Sequence, residues 1–356
     1  MSHDLSSFRL ISGSWPPEIC GVGDFMANVS EALSNAGERV ERSTLKRRNV
    51  AIALSLLLGC YLRREEVVYI SYPTEGYGKS LLPFLLVFGS RSRVVLHMHE
   101  YGSKNKYCRF LLRRFQRMHH LFFSNSDDFH RYLAECGLHV DSSRAVDWCV
   151  VPTPSNIPVL AAMDRRNPAQ VKVVHFGQIR PNKGLEQIIR MFGSLDGEKI
   201  NCLVIGGVPV GYEGYAEYMA EQFRQTGVQV KFNLSPMEIS EELASAHVGV
   251  FWFPDGADER RGSLMAAMAH GVLCITTHSV RTPQIIKDAT IGVDASIEYF
   301  PYFVLQSAIA ELNSEVNRNK IHRALELAAK SSFYGIAKKL VNISHSQSEV
   351  TSSDCW

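Results

Sequence analysis

The chain has 356 residues, 46% of them hydrophobic and 21% charged, with a formal net charge of +2. Such a composition is globular, and the length suffices for two cores of ordinary domain size. A charge this close to zero excludes a general nucleic-acid binder, so any cationic function has to be local. Its eight cysteines include no C-x-x-C pair, which argues against a zinc site or a redox motif and fits reduced cytosolic thiols. The opening MSHDLSSFRLISGSW lacks the charged leader, apolar stretch and cleavage site that export needs, so a cytoplasmic chain is expected. The apolar runs AIALSLLLGCYL from Ala51 and SLLPFLLVFG from Ser80 fall short of the roughly 18 to 20 residues of a spanning helix and read as core helices.

In chain order, short apolar runs alternate with longer amphipathic stretches: FRLISGS, VVYISYP, RVVLHMHE and HLFFSNS, then VKVVHFG, NCLVIGG, VQVKFN, VGVFWFP and VLCITTH. This alternation is the pattern of parallel sheets covered by helices, an α/β fold of two similar halves. Between Cys149 and Gln170 the prolines and a polar stretch interrupt it, which places a hinge near residues 158 to 170.

The first strand runs through WPPEICGVGDF into an amphipathic helix, so Gly21 and Gly23 fall at a strand-to-helix turn. Two readings stand there. Backbone without a Cβ can approach a phosphate or sugar at a helix N-terminus, or the glycines serve only to let the helix pack.

Further on, VVLHMHEYGSK brings His97, His99 and Glu100 to the carboxyl edge of a strand, where ligands of open parallel sheets sit. Alternation puts both histidines on one face. His99 and Glu100 are the candidates for function, and two histidines alone give little reason to expect a metal. The next segment, KNKYCRFLLRRFQR over 104–117, is a basic amphipathic helix. It suits either an anionic lipid surface or packing of its apolar side on its own sheet with the charges in water.

In the second half, VVHFGQIRPNKGLEQIIRMF ends a strand at Gly177, carries Arg180 and Lys183 in a loop, and opens a helix at Gly184. Two cations beside a helix N-terminus suit a diphosphate, and would stabilise the charge that grows on a departing phosphate. A purely structural Lys-Gly helix start is the alternative. VGVFWFPDGADERRGSLMAAMAHG then places Asp258, Glu259, Arg260, Arg261 and Ser263 before a small-residue helix, with Gly262 and Ser263 as its expected N-cap.

Taken together, PPEICGVGDF, YPTEGYGKSLLP, HMHE, FGQIRPNKG, PDGADERRGSLMAAMAHG and the closing SSFYGIAKKL resemble glycosyltransferase family 4 over almost the whole chain. The resemblance implies a GT-B fold: two Rossmann-like domains with parallel sheets facing an interdomain cleft. It implies an acceptor-binding domain over 1–160, completed by a crossover helix at about 331–345, a nucleotide-sugar-binding domain over 168–330, and a flexible tail over 346–356. The charged segment before the last small-residue helix is similar to a subgroup found in polysaccharide gene clusters. Two positions depart from the family pattern. Its Glu-x7-Glu pair would fall on Asp258 and Ala266, so the second carboxylate is missing and Glu259 is a rival for the first role. Its arginine after the loop glycine is Gln178, which leaves Arg180 to supply the charge.

The implied activity is a retaining, metal-independent transfer of a sugar from a UDP- or GDP-linked donor to a glycan or undecaprenyl-diphosphate-linked acceptor in surface polysaccharide assembly. Catalytic roles are expected of His99, Glu100, Asp258 and Glu259, and diphosphate binding of Arg180, Lys183 and Gly184. Gly21, Gly23, Gly177, Arg260, Arg261, Gly262 and Ser263 are expected to line the donor, with Tyr72 and Tyr77 on the acceptor side. No cofactor, metal or nucleic acid is expected. The basic helix 104–117 is the expected contact with the inner face of the cytoplasmic membrane. The rival functions are an epimerase or phosphorylase on the same scaffold, or an inactive donor-binding subunit.

Overall fold

A computed structural model of the chain describes residues 6–18, 20–46, 49–62, 66–74, 76, 80, 82–89, 92–102, 104, 106–114, 120–138, 148–159, 170–193, 195, 200–298 and 301–345. The chain divides into two compact units: Met1–Ser124 with Asp128–Val151 and Phe333–Trp356, and Asn125–Asp127 with Pro152–Ser332. The passage from one unit to the other therefore falls at Val151/Pro152, ahead of the hinge stretch. Residues 160–169 of that stretch, the tail from 346, and Tyr77 lie outside the described residues.

The first unit is built of β1 (Ser7–Ser12), α1 (Gly21–Asn35), β2 (Arg39–Thr44), α2 (Val50–Leu62), β3 (Glu66–Tyr72), α3 (Leu82–Gly89), β4 (Arg93–Met98), α4 (Lys106–Arg114), β5 (His120–Phe123), α5 (Ser126–Cys136) and β6 (Trp148–Val150). Its six-stranded sheet has the order β2-β1-β3-β4-β5-β6, with every pairing parallel. Strand alternation sends Val94, Leu96 and Met98 to one face, where Ala53, Leu56, Phe84, Leu112 and Leu133 from α2 to α5 cover them. Val95 goes to the other face with Phe25, Met26, Val29 and Leu33 of α1.

The second unit follows with β7 (Val171–Gln178), α6 (Leu185–Phe192), β8 (Ile200–Gly207), α7 (Glu213–Gln225), β9 (Gln229–Phe232), α8 (Pro236–Ala244), β10 (Val248–Phe251), α9 (Gly262–Ala269), β11 (Leu273–His278), α10 (Gln284–Ala289), β12 (Ile291–Asp294), α11 (Tyr302–Ala310) and α12 (Glu315–Lys330). Its parallel sheet runs β12-β11-β10-β7-β8-β9. One face is covered by α6, α7 and α11 through Ile188, Met219 and Leu305, the other by α8, α9, α10 and α12 through Leu243, Leu264, Ile286 and Ala324. The last helix, α13 (Phe333–His345), belongs to the first unit, where Ile336, Ala337, Leu340 and Ile343 join the apolar cluster of α1.

Two expectations need correction. β2, β6 and β12 were not among the expected strands; each lies at a sheet edge, where a strand need not be apolar on both faces. The helix from Ala51 is also not a core helix throughout. Ala53 and Leu56 face the sheet, but Val50, Leu54, Leu58 and Tyr61 are exposed by 54%, 57%, 59% and 42%. No helix among the described residues is long and apolar enough to cross a membrane.

Candidate active site

In an open parallel sheet, the crevice for a ligand lies where successive connections leave in opposite directions. The second sheet reverses between β7 and β10: the chain goes from β7 to β8 and β9 on one side, then to β10, β11 and β12 on the other. The loops leaving the carboxyl ends of those two strands are the ones that carry Arg180 and Lys183, and Asp258 to Arg261.

The β7 loop is shaped by its backbone. Asn182 and Gly184 have φ of 64° and 76°, so the chain turns sharply into α6. A Cβ on Gly184 would lie 2.4 Å from Cβ of Trp252, which fixes this loop against the start of the β10 loop. Gly184 is the N-cap of α6; its carbonyl accepts the Gln187 and Ile188 N–H groups at 3.2 and 3.0 Å, and it supplies no side-chain cap, so the Leu185 and Glu186 N–H groups depend on a partner from outside the helix. Arg180 Nε donates to Gln178 Oε1 at 3.0 Å, which orients the guanidinium. Gln178 thus positions Arg180, the cation expected in this loop. Both Arg180 and Lys183 are part-exposed.

Behind the loop, His175 is buried on β7. Its Nδ1 donates to the Val250 carbonyl at 2.8 Å, which leaves Nε2 as the acceptor, buried without a hydrogen-bond partner. Burial pushes its pKa down to about 4, so the ring is neutral at physiological pH. A Cβ on Gly177 would come 3.4 Å from that Nε2. His175 was not singled out from the sequence, since a histidine within an apolar strand carries no signal of its own.

In the β10 loop the two acidic residues separate. Asp258 is 6% exposed and fully engaged: its Oδ1 accepts the Arg260 N–H and its Oδ2 the Arg260 Nε–H, each at 2.9 Å. Arg261 pairs with Asp255 and lies 4.6 Å over the ring of Phe253. Glu259 is 5% exposed, its Oε2 has no hydrogen-bond partner, and burial raises its pKa. Its own carbonyl accepts the Thr153 N–H at 2.9 Å. Of the expected donor residues here, Arg260 and Arg261 therefore brace the loop rather than stand free for a ligand. The expected cap is also corrected: Arg261 is the N-cap of α9, with Gly262 and Ser263 inside the first turn and no side-chain cap. Ala266, where the family pattern has a carboxylate, has no exposure and packs into the apolar cluster under α9.

The first sheet reverses between β1 and β3. There Gly13 meets the loop after β3 so closely that a Cβ on it would lie 2.0 Å from Thr74 Oγ1, and one on Gly76 1.9 Å from the Gly13 carbonyl. The two candidate glycines of the next helix differ. Gly21 opens α1 with nothing near it, whereas a Cβ on Gly23 would lie 3.0 Å from the Ser14 carbonyl. Tyr72 needs correction as an acceptor-side residue: it shares its strand face with Val68 and Ile70, has no exposure, and packs its ring against Phe84 at 5.2 Å. Glu100 is exposed just beyond β4.

His97 and His99 stack with ring centroids 4.5 Å apart, and Phe25 of α1 meets both edge-on at 5.1 and 5.2 Å. A buried chain of polar contacts joins them: Tyr69 Oη to His97 Nδ1 at 2.5 Å, His97 Nε2 to Ser124 Oγ at 2.9 Å, Ser124 Oγ to His99 Nδ1 at 2.8 Å, and His99 Nε2 to Ser71 Oγ at 2.5 Å. One direction gives the Tyr69 proton an acceptor. Burial keeps His97 well below the usual histidine range and neutral. If His97 Nδ1 donated, the Tyr69 hydroxyl proton would be buried without an acceptor, so Tyr69 donates. His97 Nε2–H then donates to Ser124, Ser124 to His99 Nδ1, and His99 Nε2–H to Ser71. None of Tyr69, Ser71 and Ser124 was singled out from the sequence. Among the described residues, no group of three or more His, Cys, Asp or Glu could hold a metal.

Residues 163–296 match the family model "Glycosyl transferases group 1". Over its length the chain is similar in structure to HepE of Anabaena in complex with UDP, with TM-score 0.68 and 12% identity over 95% of this chain and 99% of that one. It is likewise similar to sucrose-phosphate synthase of Thermosynechococcus elongatus, with TM-score 0.69 and 14% identity over 95% and 98%. Similarity to WaaG, a glycosyltransferase involved in lipopolysaccharide biosynthesis, has TM-score 0.56 and 14% identity over 96% and 100%. The two sheets have the GT-B architecture, and fold and matched segment together define a glycosyltransferase. Among curated proteins none matches the chain in sequence.

Proposed function

We propose that the chain transfers a sugar from a nucleoside diphosphate donor to a glycan or lipid-linked acceptor during surface polysaccharide assembly, with retention at the anomeric carbon and without a metal. The observation that carries this reading is the switch point between β7 and β10, with Arg180, Lys183 and the start of α6, which has no side-chain cap, in the loop that leaves β7; such an arrangement suits a diphosphate. UDP in the HepE structure supports the donor class. The pathway is supported by the polysaccharide-type segment Pro254–Gly271 and by the likeness to WaaG.

In this mechanism the bond from the anomeric carbon to the phosphate oxygen breaks while Arg180 and Lys183 hold the leaving diphosphate. Their fixed charges stabilise the transition state more than the ground state. The acceptor hydroxyl attacks from the face the phosphate leaves, and its proton passes to the departing phosphate oxygen. Glu259, with its unpaired carboxylate oxygen, binds a hydroxyl of the donor sugar. The engaged Asp258 holds the loop in place. His99, expected to be catalytic, has both ring nitrogens engaged by Ser124 and Ser71 and acts instead as a positioning residue that holds the carboxyl edge of β4 in the first unit.

The test is incubation of the protein with a panel of nucleotide sugars, with and without lipid-linked acceptors, in buffer containing EDTA, and analysis by mass spectrometry. Acceptor-dependent release of nucleoside diphosphate is expected, unaffected by the chelator. A free rearranged sugar would point to an epimerase, a sugar phosphate to a phosphorylase, and binding without turnover to a subunit that has lost catalysis.

A further inference from the structure

β12 is the last strand of the second sheet and pairs only with β11. Beyond it the chain changes faces, with α11 packed on one side of the sheet and α12 on the other. A cavity of about 310 Å³ opens where these elements meet, lined by Ile291 and Gly292 of β12, by Phe303, Ser307 and Glu311 along α11, and by Asn317 of α12. It is a place of its own, since β11 and β10 stand between it and the crevice at the β7–β10 switch point. Its size lies at the small end of the roughly 300 to 1,000 Å³ of ligand sites, which suits a single ring.

Phe303, Ser307 and Glu311 recur every four residues and so form one row on the helix. Phe303 is apolar yet 59% exposed. The Ser307 hydroxyl and the Glu311 carboxylate make no hydrogen bond or ion pair among the described residues. Asn317 is only 4% exposed and is held from two sides: its backbone N–H donates to Ser314 Oγ at 3.2 Å and its Nδ2 to the Glu311 carbonyl at 2.9 Å. Its Oδ1 accepts nothing among the described residues, so a fixed acceptor is left over at the cavity.

The lining selects its ligand from two directions. Glu311 is the one charged side chain in it, which disfavours phosphates and other anions. A wholly apolar molecule would cover Asn317 Oδ1, Ser307 and Glu311 without replacing their hydrogen bonds to water, at a cost of about 1 to 3 kcal/mol for each group. A neutral pyranose meets both conditions. Its hydroxyl groups donate to the carboxylate and the amide oxygen, and its C–H face complements the negative face of an aromatic ring.

We propose that this cavity is a second glycan-binding site, in which Phe303 packs against one neutral sugar ring while Asn317 and Glu311 accept its hydroxyl protons. The choice of a glycan rests on the proposed transfer reaction, whereas the binding itself needs neither donor nor turnover. Holding a glycan at a second place on the same chain raises the effective concentration of its reacting end.

The experiment is isothermal titration of the full chain, without donor, with neutral oligosaccharides of glucose, galactose, mannose, rhamnose or N-acetylglucosamine. The wild type is expected to bind at least one of them, and Phe303→Ala to weaken that binding roughly tenfold or more. Tyr218→Ala is the matched control, on an aromatic residue of equal 59% exposure in α7, which packs beside β9 at the opposite edge of the sheet; it is expected to match the wild type. Phe303→Trp is expected to retain binding, and its emission to change with added oligosaccharide relative to the wild type. Failure of every oligosaccharide to bind the wild type, equal affinity in the folded Phe303→Ala variant, or unmoved emission from Phe303→Trp would each overturn the proposal. So would a wild-type dimer in size-exclusion chromatography that Phe303→Ala dissolves, since a second copy would then occupy the cavity. Transfer by the wild type is read separately: binding through Phe303 without transfer keeps this site and sinks the proposed reaction, and transfer without such binding does the reverse.

Discussion

His97 and His99, two residues apart on one strand edge, stack with 18° between their ring planes and share the Ser124 hydroxyl between them. Ser124 is therefore the group that fixes the His99 tautomer. Ser124→Ala removes a donor from His99 Nδ1 and an acceptor from His97, in a place water does not reach. Leaving such a group unsatisfied costs about 1 to 3 kcal/mol. Ser124→Ala is therefore expected to lower the denaturant stability of the first unit by about that amount, followed by denaturant unfolding. A folded variant of wild-type stability would mean that the chain of polar contacts is dispensable.

Lys183 and Arg180 are assigned to the leaving diphosphate. Lys183→Ala is expected to reduce kcat by about two orders of magnitude or more, and to weaken product inhibition by the nucleoside diphosphate. Arg180→Ala is expected to act in the same direction. Steady-state kinetics with the identified donor decides this, and wild-type turnover in Lys183→Ala would end the phosphate-site assignment.

The glycines make a contrasting pair. Gly184 has positive φ and no room beside Trp252, so Gly184→Ala is expected to destabilise the second unit by about 2 kcal/mol or more. Gly21 has open space at the start of α1, and Gly21→Ala is expected to leave denaturant stability unchanged or raised by up to about 0.5 kcal/mol. If that folded variant loses donor or acceptor binding, the close-approach reading of Gly21 holds. If it binds normally, the glycine is dispensable.

His175 gives the second unit a definite dependence on pH. Its folded pKa is about 4, below that of an unfolded histidine near 6.5. The unfolded state binds the proton first, so stability contributed by the neutral ring is fully present above about pH 6.5 and is lost as pH falls toward 4. At full loss the magnitude is of order 3 kcal/mol. His175→Gln has no titrating group and is expected to flatten this part of the stability profile between pH 7 and 4, followed by denaturant unfolding. A variant with the wild-type slope would mean that other groups set it.

Legibility in the sequence followed burial. Central strands such as VVLHM and VKVVHF are covered on both faces and read as apolar runs; the edge strand RVERST of β2 is mostly exposed and gave no such signal. The loop after β7 could be picked out because Arg180, Lys183 and Gly184 lie close together in sequence between a strand and a helix. Its bracing by Trp252, and the division of labour between Asp258 and Glu259, depend on contacts that spacing does not encode. The partners of the two histidines come from β3 and the end of β5, so only the sheet register, which sets Ser71 beside His97, brings them together. Tyr72 could have been placed correctly, since alternation from Val68 and Ile70 already turned it inward.

The helix α13 completes a cluster whose other members were made more than 180 residues earlier. Until residues 333–345 have left the ribosome, Phe25, Met26 and Val29 lack part of their covering. The amino-terminal unit therefore cannot finish folding ahead of the one that follows it during synthesis, contrary to the usual order for successive domains. A stop codon just before Phe333 would damage the beginning of the protein more than its end.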